Sequence, residues 1–123
     1  MIINTTNNEV ISKKERVCRT FLSQLRGLMF RKKQNLIMIF NEERKISLHN
    51  FFVFYPIDVF LLNKNTEVVE IKRNFKPFTI QRFAPKAKYV IETPRLNVEI
   101  KIKDKISVDD LFPVDSKLHV SYP

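Results

Sequence analysis

The pattern of apolar and polar positions predicts a chain built mostly of strands, with one clear helix. Between residues 21 and 29, apolar side chains recur at the spacing of one helical face: Phe21, Leu22, Leu25, Leu28 and Met29. Thr20 precedes this stripe and can cap its N-terminus. Gly27 lies inside the stripe, where glycine disfavours a helix. We therefore expect the helix to end at or near Gly27, with residues 28–30 entering the core.

The pattern in the rest of the chain predicts short strands joined by turns. Ile2 and Ile3 predict a first strand, and residues 10–18 predict its hairpin partner, irregular in the middle. Pro56 should divide the long apolar stretch at residues 46–62 into two strands, because proline cannot donate a ladder hydrogen bond. Further strands are predicted at residues 36–40, 67–72, 88–92, 98–106 and 118–122, turns at 41–43 and 63–65, a loop at 76–85 and a helical turn at 108–111.

These elements predict one compact domain over residues 1–123, of the α+β class and mainly β. We expect a mostly antiparallel, barrel-like sheet with one or two short helices. The chain has 44% apolar residues and eleven phenylalanines, which supply enough apolar area for a packed core.

Shortages of three residue types exclude several kinds of site. The chain has a single glycine, so neither a dinucleotide fingerprint nor a phosphate-binding loop is present in its usual form. One cysteine excludes an internal disulfide and paired-cysteine metal sites. Two histidines leave little for a zinc centre. We therefore expect no cofactor and no bound metal.

Neither a membrane-spanning segment nor an export signal is visible. No run of apolar residues is long enough to cross a bilayer. The N-terminal residues lack a charged start followed by an apolar core, as a signal peptide would have. The expected compartment is the cytoplasm.

The net charge of +9 is concentrated in two segments. Residues 1–33 carry +6 and residues 71–105 carry +7, whereas residues 34–70 and 106–123 each carry −2. If both basic segments share one face, that face would attract phosphate backbones. A lysine-rich surface that is merely solvated is the other interpretation.

The second basic segment also contains aromatic residues, a combination found in proteins that stack on bases. With the basic residues 13–33, it is the candidate contact with RNA or the ribosome. The candidate contact residues are Lys72, Arg73, Lys76, Phe78, Arg82, Phe83, Lys86 and Lys88.

Two carboxylates fall at apolar strand positions. Asp58 stands within the sequence Tyr55-Pro-Ile-Asp-Val-Phe-Leu-Leu62, where an unpaired charge would be costly. It is either an acid in a pocket or a structural carboxylate that accepts backbone N–H groups or pairs with Arg26. Glu92 ends another apolar strand, and surface placement is favoured over acid–base chemistry with Asp58.

Arginine, histidine and cysteine provide further candidate site residues. Arg26 and Arg31 could capture an anion, but a salt bridge to Asp58 or Glu92, or plain solvent exposure, is favoured, because a helix C-terminus repels anions. His49, among aromatic residues, is interpreted as a hydrogen-bonded core or rim residue and not as a metal ligand. Cys18 is interpreted as a small buried apolar residue. The candidate pocket or polar cluster is therefore Arg26, Gly27, His49, Asp58 and Glu92.

Several ordered motifs resemble the domain-of-unknown-function 192 family of bacteria and archaea. Arg26-Gly-Leu-Met-Phe-Arg31 resembles the signature of that family, and residues 48–62 resemble its archaeal form. Val68-Val-Glu70, Lys76-Pro77 and Ala87-Lys-Tyr-Val-Ile-Glu92 follow in the family's order. The resemblance covers about residues 1–110 and implies a compact β-rich fold without an established activity. The chain departs from the family at turn glycines, with Asn35-Leu36 and Lys103-Asp104 at two of these places.

Three functions remain open at this point, and the residues favour a non-enzymatic one. The first is a binding or accessory module with a basic surface. The second is an RNA- or ribosome-associated protein that uses residues 72–88. The third is a small-ligand pocket or an enzyme built around Asp58, Arg26 and His49.

Overall fold

The computed structural model describes residues 1–29 and 31–111. The predicted strand at 118–122 lies outside these residues. The helices are α1 (Phe21–Arg26) and a 3₁₀ turn (Asp109–Leu111). The strands are β1 (Ile2–Asn4), β2 (Glu9–Ser12), β3 (Glu15–Cys18), β4 (Asn35–His49), β5 (Ile57–Leu62), β6 (Val68–Phe75), β7 (Ile80–Thr93) and β8 (Ile106–Val108).

The strands form two sheets, which confirms the predicted α+β, mainly β class. One sheet has the order β2-β1-β8 and the other has the order β3-β4-β7-β5-β6. All pairings are antiparallel except that of β3 with β4. Within the described residues, the two sheets do not close into a single barrel. They pack against each other, because strands of both contribute to one apolar layer.

The central strands of the five-stranded sheet are buried on both faces. Their side chains alternate between two apolar layers, as a period of two residues requires. Between the two sheets lie Ile2, Ile37, Ile39, Phe60, Leu62, Tyr89, Ile91 and Ile106. On the opposite face, with α1, lie Cys18, Leu28, Leu36, Met38, Val59, Leu61 and Val90. A polar side chain on either face of these strands therefore enters an apolar layer.

The turn expected at residues 41–43 is instead an irregular part of β4, and the loop expected at 76–85 is confined to residues 76–79, because β7 already begins at Ile80. Residues 41–43 form a bulge in β4, where the pairing with β7 jumps between Ile39 and Arg44. Pro85 lies in a second irregularity, where residues 83–85 of β7 fall between Arg82 and Lys86, the partners of Ser47 and Lys45. A bulge accommodates extra residues without ending a strand, so the polar residues 41–43 do not end β4.

Two predicted strands are also revised. Residues 10–18 divide into β2 and β3, which belong to different sheets, and β3 runs parallel to β4. At residues 98–106 only the end is a strand, β8. Val98 and Ile100 are buried without forming one. The division at Pro56, the turn at 63–65 and the helical turn near residue 109 are confirmed.

The helix begins and ends where its capping residues predict. The hydroxyl of Thr20 accepts the N–H of Ser23 at 3.1 Å, and the Ser23 hydroxyl lies 3.1 Å from the N–H of Thr20, which donates to it. Gly27 is the C-cap, with φ 51° and ψ −124°. Leu28 is buried as expected, but Leu22 and Leu25 of the predicted apolar stripe are exposed.

Gly27 ends the helix in a tight turn of type II′. The carbonyl of Arg26 accepts the N–H of Met29 at 2.9 Å across it, and φ and ψ of Gly27 match the first central position of that turn. Two arginines hydrogen-bond to carbonyls of the turn. Arg26 Nε donates to the Met29 carbonyl at 3.2 Å, and Arg31 Nε donates to the Gly27 carbonyl at 3.0 Å. Both arginines of the Arg26–Arg31 motif therefore hold turn carbonyls.

Gly27→Ala should destabilise the fold by roughly 1–3 kcal/mol, the cost of a strained backbone conformation, and so by more than helix propensity alone. The reason is the backbone, since a Cβ on Gly27 would meet Met38 Cε at 3.4 Å, an ordinary contact distance. Urea unfolding followed by circular dichroism measures the change. Gly27→Asn should be no rescue, because the left-handed conformation that asparagine tolerates has a positive ψ. A loss no larger than that of the exposed Lys14→Ala control would contradict this account.

Candidate functional site

A small cavity of about 80 Å³ lies beneath the Gly27 turn, between α1 and the five-stranded sheet. Its lining includes four of the five residues proposed from the sequence as a polar cluster: Arg26, Gly27, His49 and Glu92. Apolar walls come from Leu28, Met38, Leu48 and Val53. The cavity therefore combines an apolar lining with one buried carboxyl group.

Glu92 lies on β7, where its neighbours across the sheet are Leu36 of β4 and Val59 of β5. Only 5% of Glu92 is exposed, so the surface placement expected for it is wrong. Within residues 1–29 and 31–111, no hydrogen bond or ion pair reaches its carboxyl group. Its Oε1 atom would lie 3.9 Å from a Cβ on Gly27, so the missing side chain of Gly27 leaves space directly beside the carboxyl.

The environment of Glu92 disfavours its charge. Burial raises the pKa of Glu92 from 4.5 to about 7. Its charge also acts on neighbours, since burial and then the charge of Glu92 raise the pKa of Tyr55. Native proteins leave few buried polar groups without a partner, and such groups call for a specific explanation.

His49 and Arg26, two other polar residues of the lining, are engaged elsewhere. His49 Nδ1 accepts the N–H of Phe51 at 3.3 Å, which leaves the proton on Nε2, and Nε2 donates to the Leu25 carbonyl at 3.0 Å. Thus His49 ties β4 to α1 as a rim residue. Arg26 bonds to the Met29 carbonyl, and the expected pairing of Arg26 with Asp58 or Glu92 does not form.

Asp58 belongs to a different part of the molecule. Its Oδ2 accepts Arg73 Nη1 at 2.6 Å, and its Oδ1 accepts the N–H of Asn74 at 2.9 Å. Arg73 also lies over the ring of Phe60 at 5.5 Å, in the apolar layer between the sheets. Because Asp58 is paired on this side of the sheet, it does not share the cavity of Glu92. A pocket of Asp58, Arg26 and His49 is therefore not formed.

A wider groove of about 210 Å³ adjoins the cavity between α1 and β4. Leu25, Met38 and Leu48 line both spaces, and Phe40 and Ile46 extend the apolar lining of the groove. Sequence reasoning did not single out Met38 or Val53 as site residues. Nothing distinguishes them from ordinary core residues until the turn at Gly27 places the cavity against them.

The candidate nucleic-acid residues do not form one aromatic surface. Phe78 is exposed, but Phe83 is buried, and so is Phe75. Arg73 is bound to Asp58. Lys76, Arg82 and Lys86 are exposed, whereas Lys72 and Lys88 are partly buried. Among these aromatic residues, only Phe78 therefore lies at the surface with the basic ones.

Other expectations for single residues can be compared directly. Cys18 is a free, buried cysteine in the apolar layer beside α1, as interpreted from the sequence. In the described part of the chain, no three His, Cys, Asp or Glu side chains come close enough together to hold a metal ion. Over the same residues, no helix has the length and apolar character needed to cross a membrane.

Glu92→Gln should make stability less dependent on pH. Because the folded-state pKa of Glu92 is raised, the folded state favours its protonated form. That contribution is fully present below about pH 4.5 and is lost as pH rises through about 7. The full loss is on the order of 3 kcal/mol. Urea unfolding between about pH 5 and pH 8 should show this fall in the wild type and in the exposed Glu99→Gln control, but not in Glu92→Gln. Parallel curves for the wild type and Glu92→Gln would contradict the unpaired state of Glu92.

Solved structures share this fold. A crystal structure of a protein of unknown function from Novosphingobium aromaticivorans DSM 12444 matches with a TM-score of 0.67 and 24% identity, over 76% of this chain and 74% of that one. A crystal structure from Sinorhizobium meliloti 1021 matches with the same TM-score and 18% identity, over 76% and 79% of the two chains. At these identities the likeness concerns the fold alone.

Closer relatives come from archaea. The chain is 38% identical to a UPF0127 protein of Thermococcus sibiricus, over 81% of this chain and 70% of that one. It is 36% identical to the UPF0127 protein PH1112 of Pyrococcus horikoshii, over 77% and 84%. The model of the family DUF192, described as "Uncharacterized ACR, COG1430", matches residues 2–108. With a match over most of its length and relatives of this similarity, the chain belongs to the DUF192 family.

Proposed function

We propose that the protein is a non-enzymatic binding module whose cavity beneath Gly27 takes a small ligand. The ligand would place a hydrogen-bond-donating head group against Glu92 and a short apolar body between Leu28, Met38 and Val53. The observation that carries this proposal is the buried carboxyl of Glu92, which lies beside open space without a partner among the described residues.

The chemistry of the lining favours an ammonium head group. A buried carboxylate is stabilised most by a cation that also donates hydrogen bonds. Arg26, which lines the cavity, and the nearby Arg31 do not supply this cation, because their Nε atoms donate to carbonyls of the turn and neither forms an ion pair with Glu92. An ammonium ion bound in the cavity would therefore form an ion pair with the carboxylate of Glu92, which has no such partner among the described residues.

The described residues give no comparable support for catalysis at this site. His49 uses both ring nitrogens to hold Phe51 and Leu25 in place. The second carboxylate considered from the sequence, Asp58, is bound to Arg73 outside the cavity. General acid–base catalysis would need a second group within hydrogen-bonding reach of the reacting atoms. Binding of a ligand needs only the cavity and the carboxyl of Glu92, whereas catalysis would also need that second group.

Small alkylammonium ions are a direct probe of this proposal. Ethylammonium, propylammonium and butylammonium chloride, titrated by calorimetry at pH 8 and constant salt, should bind with dissociation constants on the order of millimolar, as expected for ligands of a few heavy atoms. The matching alcohols should bind more weakly, because they do not neutralise the carboxylate. Affinity for the ammonium ions should rise as pH rises through about 7, where Glu92 ionises.

Two variants make the test specific. Glu92→Gln should weaken alkylammonium binding at least about tenfold, whereas Glu99→Gln removes an equal charge from an exposed position and should leave it unchanged. Gly27→Ala should also weaken binding, because its methyl group would occupy the space beside Oε1. Absence of binding by every ammonium ion and alcohol, or equal binding by the wild type and Glu92→Gln, would overturn the proposal.

A further inference from the structure

Two loops meet at one end of the five-stranded sheet and present apolar side chains there. One loop, residues 50–56, joins β4 to β5, and the other, residues 76–79, joins β6 to β7. The apolar surface that they form with the start of β7 is called the aromatic tip. It consists of Phe51, Phe52, Phe54, Phe78 and Ile80.

A buried asparagine holds the two loops together. Asn50 is 1% exposed, and its backbone N–H donates to the Thr79 carbonyl at 2.9 Å. Its carbonyl accepts the N–H of Phe78 at 2.9 Å, and its side-chain amide donates to the Phe75 carbonyl at 3.0 Å. The position of the aromatic tip is therefore fixed by hydrogen bonds within the fold.

Apolar side chains of the tip face solvent to an unusual degree. Phe52 is 43% exposed, Phe54 64%, Phe78 54% and Ile80 61%. The ring of Phe78 lies in the middle, with centroids 5.9 Å from Phe52, 6.1 Å from Phe54 and 6.5 Å from Phe51. The exposed rings are thus one continuous patch, and such patches mark sites of interaction with proteins or membranes.

The backbone at two of these rings is strained. Phe52 has φ 57° and Phe78 has φ 61°, in the left-handed region that bulky residues rarely adopt. Asparagine or glycine would be more stable at such positions. A phenylalanine at both indicates that the chain accepts a cost in stability in order to present an aromatic side chain there.

The segments that form or adjoin the tip contain basic residues and no acidic ones. Residues 31–33, 49–57 and 75–86 contain no Asp or Glu. The segment 31–33 lies beside the loop 50–56, because the Tyr55 hydroxyl donates to the Lys32 carbonyl at 3.3 Å and Lys33 Nζ lies 5.8 Å from the Tyr55 ring. Ile80 and Arg82 are exposed on the same side of β7. The basic residues of the three segments are Arg31, Lys32, Lys33, Lys76, Arg82 and Lys86.

We propose that the aromatic tip is a peripheral membrane-binding surface, which inserts Phe52, Phe54 and Phe78 into the interface of an anionic lipid bilayer. Apolar side chains at the centre and cations at the rim match the two layers of such an interface, acyl chains and charged headgroups. Single-stranded nucleic acid fits less well. The rings pack edge-to-face or tilted on each other, and Phe75 and Phe83, which would extend a stacking surface, are buried.

Vesicle flotation with the full chain tests this proposal. At low salt the protein should float with vesicles of phosphatidylcholine and phosphatidylglycerol, and much less with vesicles of phosphatidylcholine alone. Phe52→Asn and Phe78→Asn each replace a ring by a side chain that suits the left-handed backbone, so folding should be preserved. Together they should reduce the partition coefficient at least about tenfold. Ile102→Asn, at an exposed apolar position outside these segments, should leave it unchanged.

A tryptophan reporter gives a second measurement. The chain contains no tryptophan, so Phe54→Trp introduces a single one at the tip. Its emission should shift to the blue and resist acrylamide quenching when phosphatidylglycerol-containing vesicles are added.

Three results would overturn the proposal. The first is no binding to the anionic vesicles at low salt. The second is binding that the double variant Phe52→Asn/Phe78→Asn leaves unchanged. The third is binding of polyuridylic acid that this double variant abolishes, without any vesicle binding, which would assign the surface to single-stranded RNA.

Discussion

The burial of both faces of the five-stranded sheet is the constraint on which the rest of the structure depends. Side chains of β4, β5 and β7 alternate between two apolar layers, one against the three-stranded sheet and one beside α1. A carboxylate on these strands must therefore find partners or remain costly in free energy. Asp58 finds Arg73 and the N–H of Asn74, whereas Glu92 finds no partner among the described residues. This difference in partners distinguishes Asp58, a structural carboxylate, from Glu92, the candidate ligand-binding group.

The single glycine connects the fold to this site. Gly27 ends α1 in a turn whose backbone angles are strained for other residues, and the absence of a side chain there keeps space open beside Glu92. Arg26 and Arg31 bond to carbonyls of the same turn. The two arginines, for which the sequence favours a salt bridge or solvent exposure over anion capture, thus stabilise the turn above the cavity. The glycine that the turn requires therefore also leaves room for the cavity.

Much of the fold could be predicted because local signals coincide with burial. Thr20 and Gly27 mark the ends of the helix, and Pro56 divides the long apolar stretch, each for a reason local to the backbone. The bulge at 41–43 and the position of β3 could not be predicted, because they depend on partners distant in sequence. For the same reason, the candidate site could be predicted only in part. Asp58 and Glu92 look alike in sequence, and only the face to which each side chain points and its distant partners distinguish them.

The pKa of Glu92, measured by carbon-13 NMR of the glutamate side-chain carboxyl groups, tests the central claim most directly. We expect one glutamate that titrates near pH 7 and whose signal is absent from Glu92→Gln. We also expect butylammonium to lower this pKa, because the cation stabilises the carboxylate. Titration of every glutamate near its ordinary value would contradict the account, since it would mean that the carboxyl of Glu92 is solvated or paired.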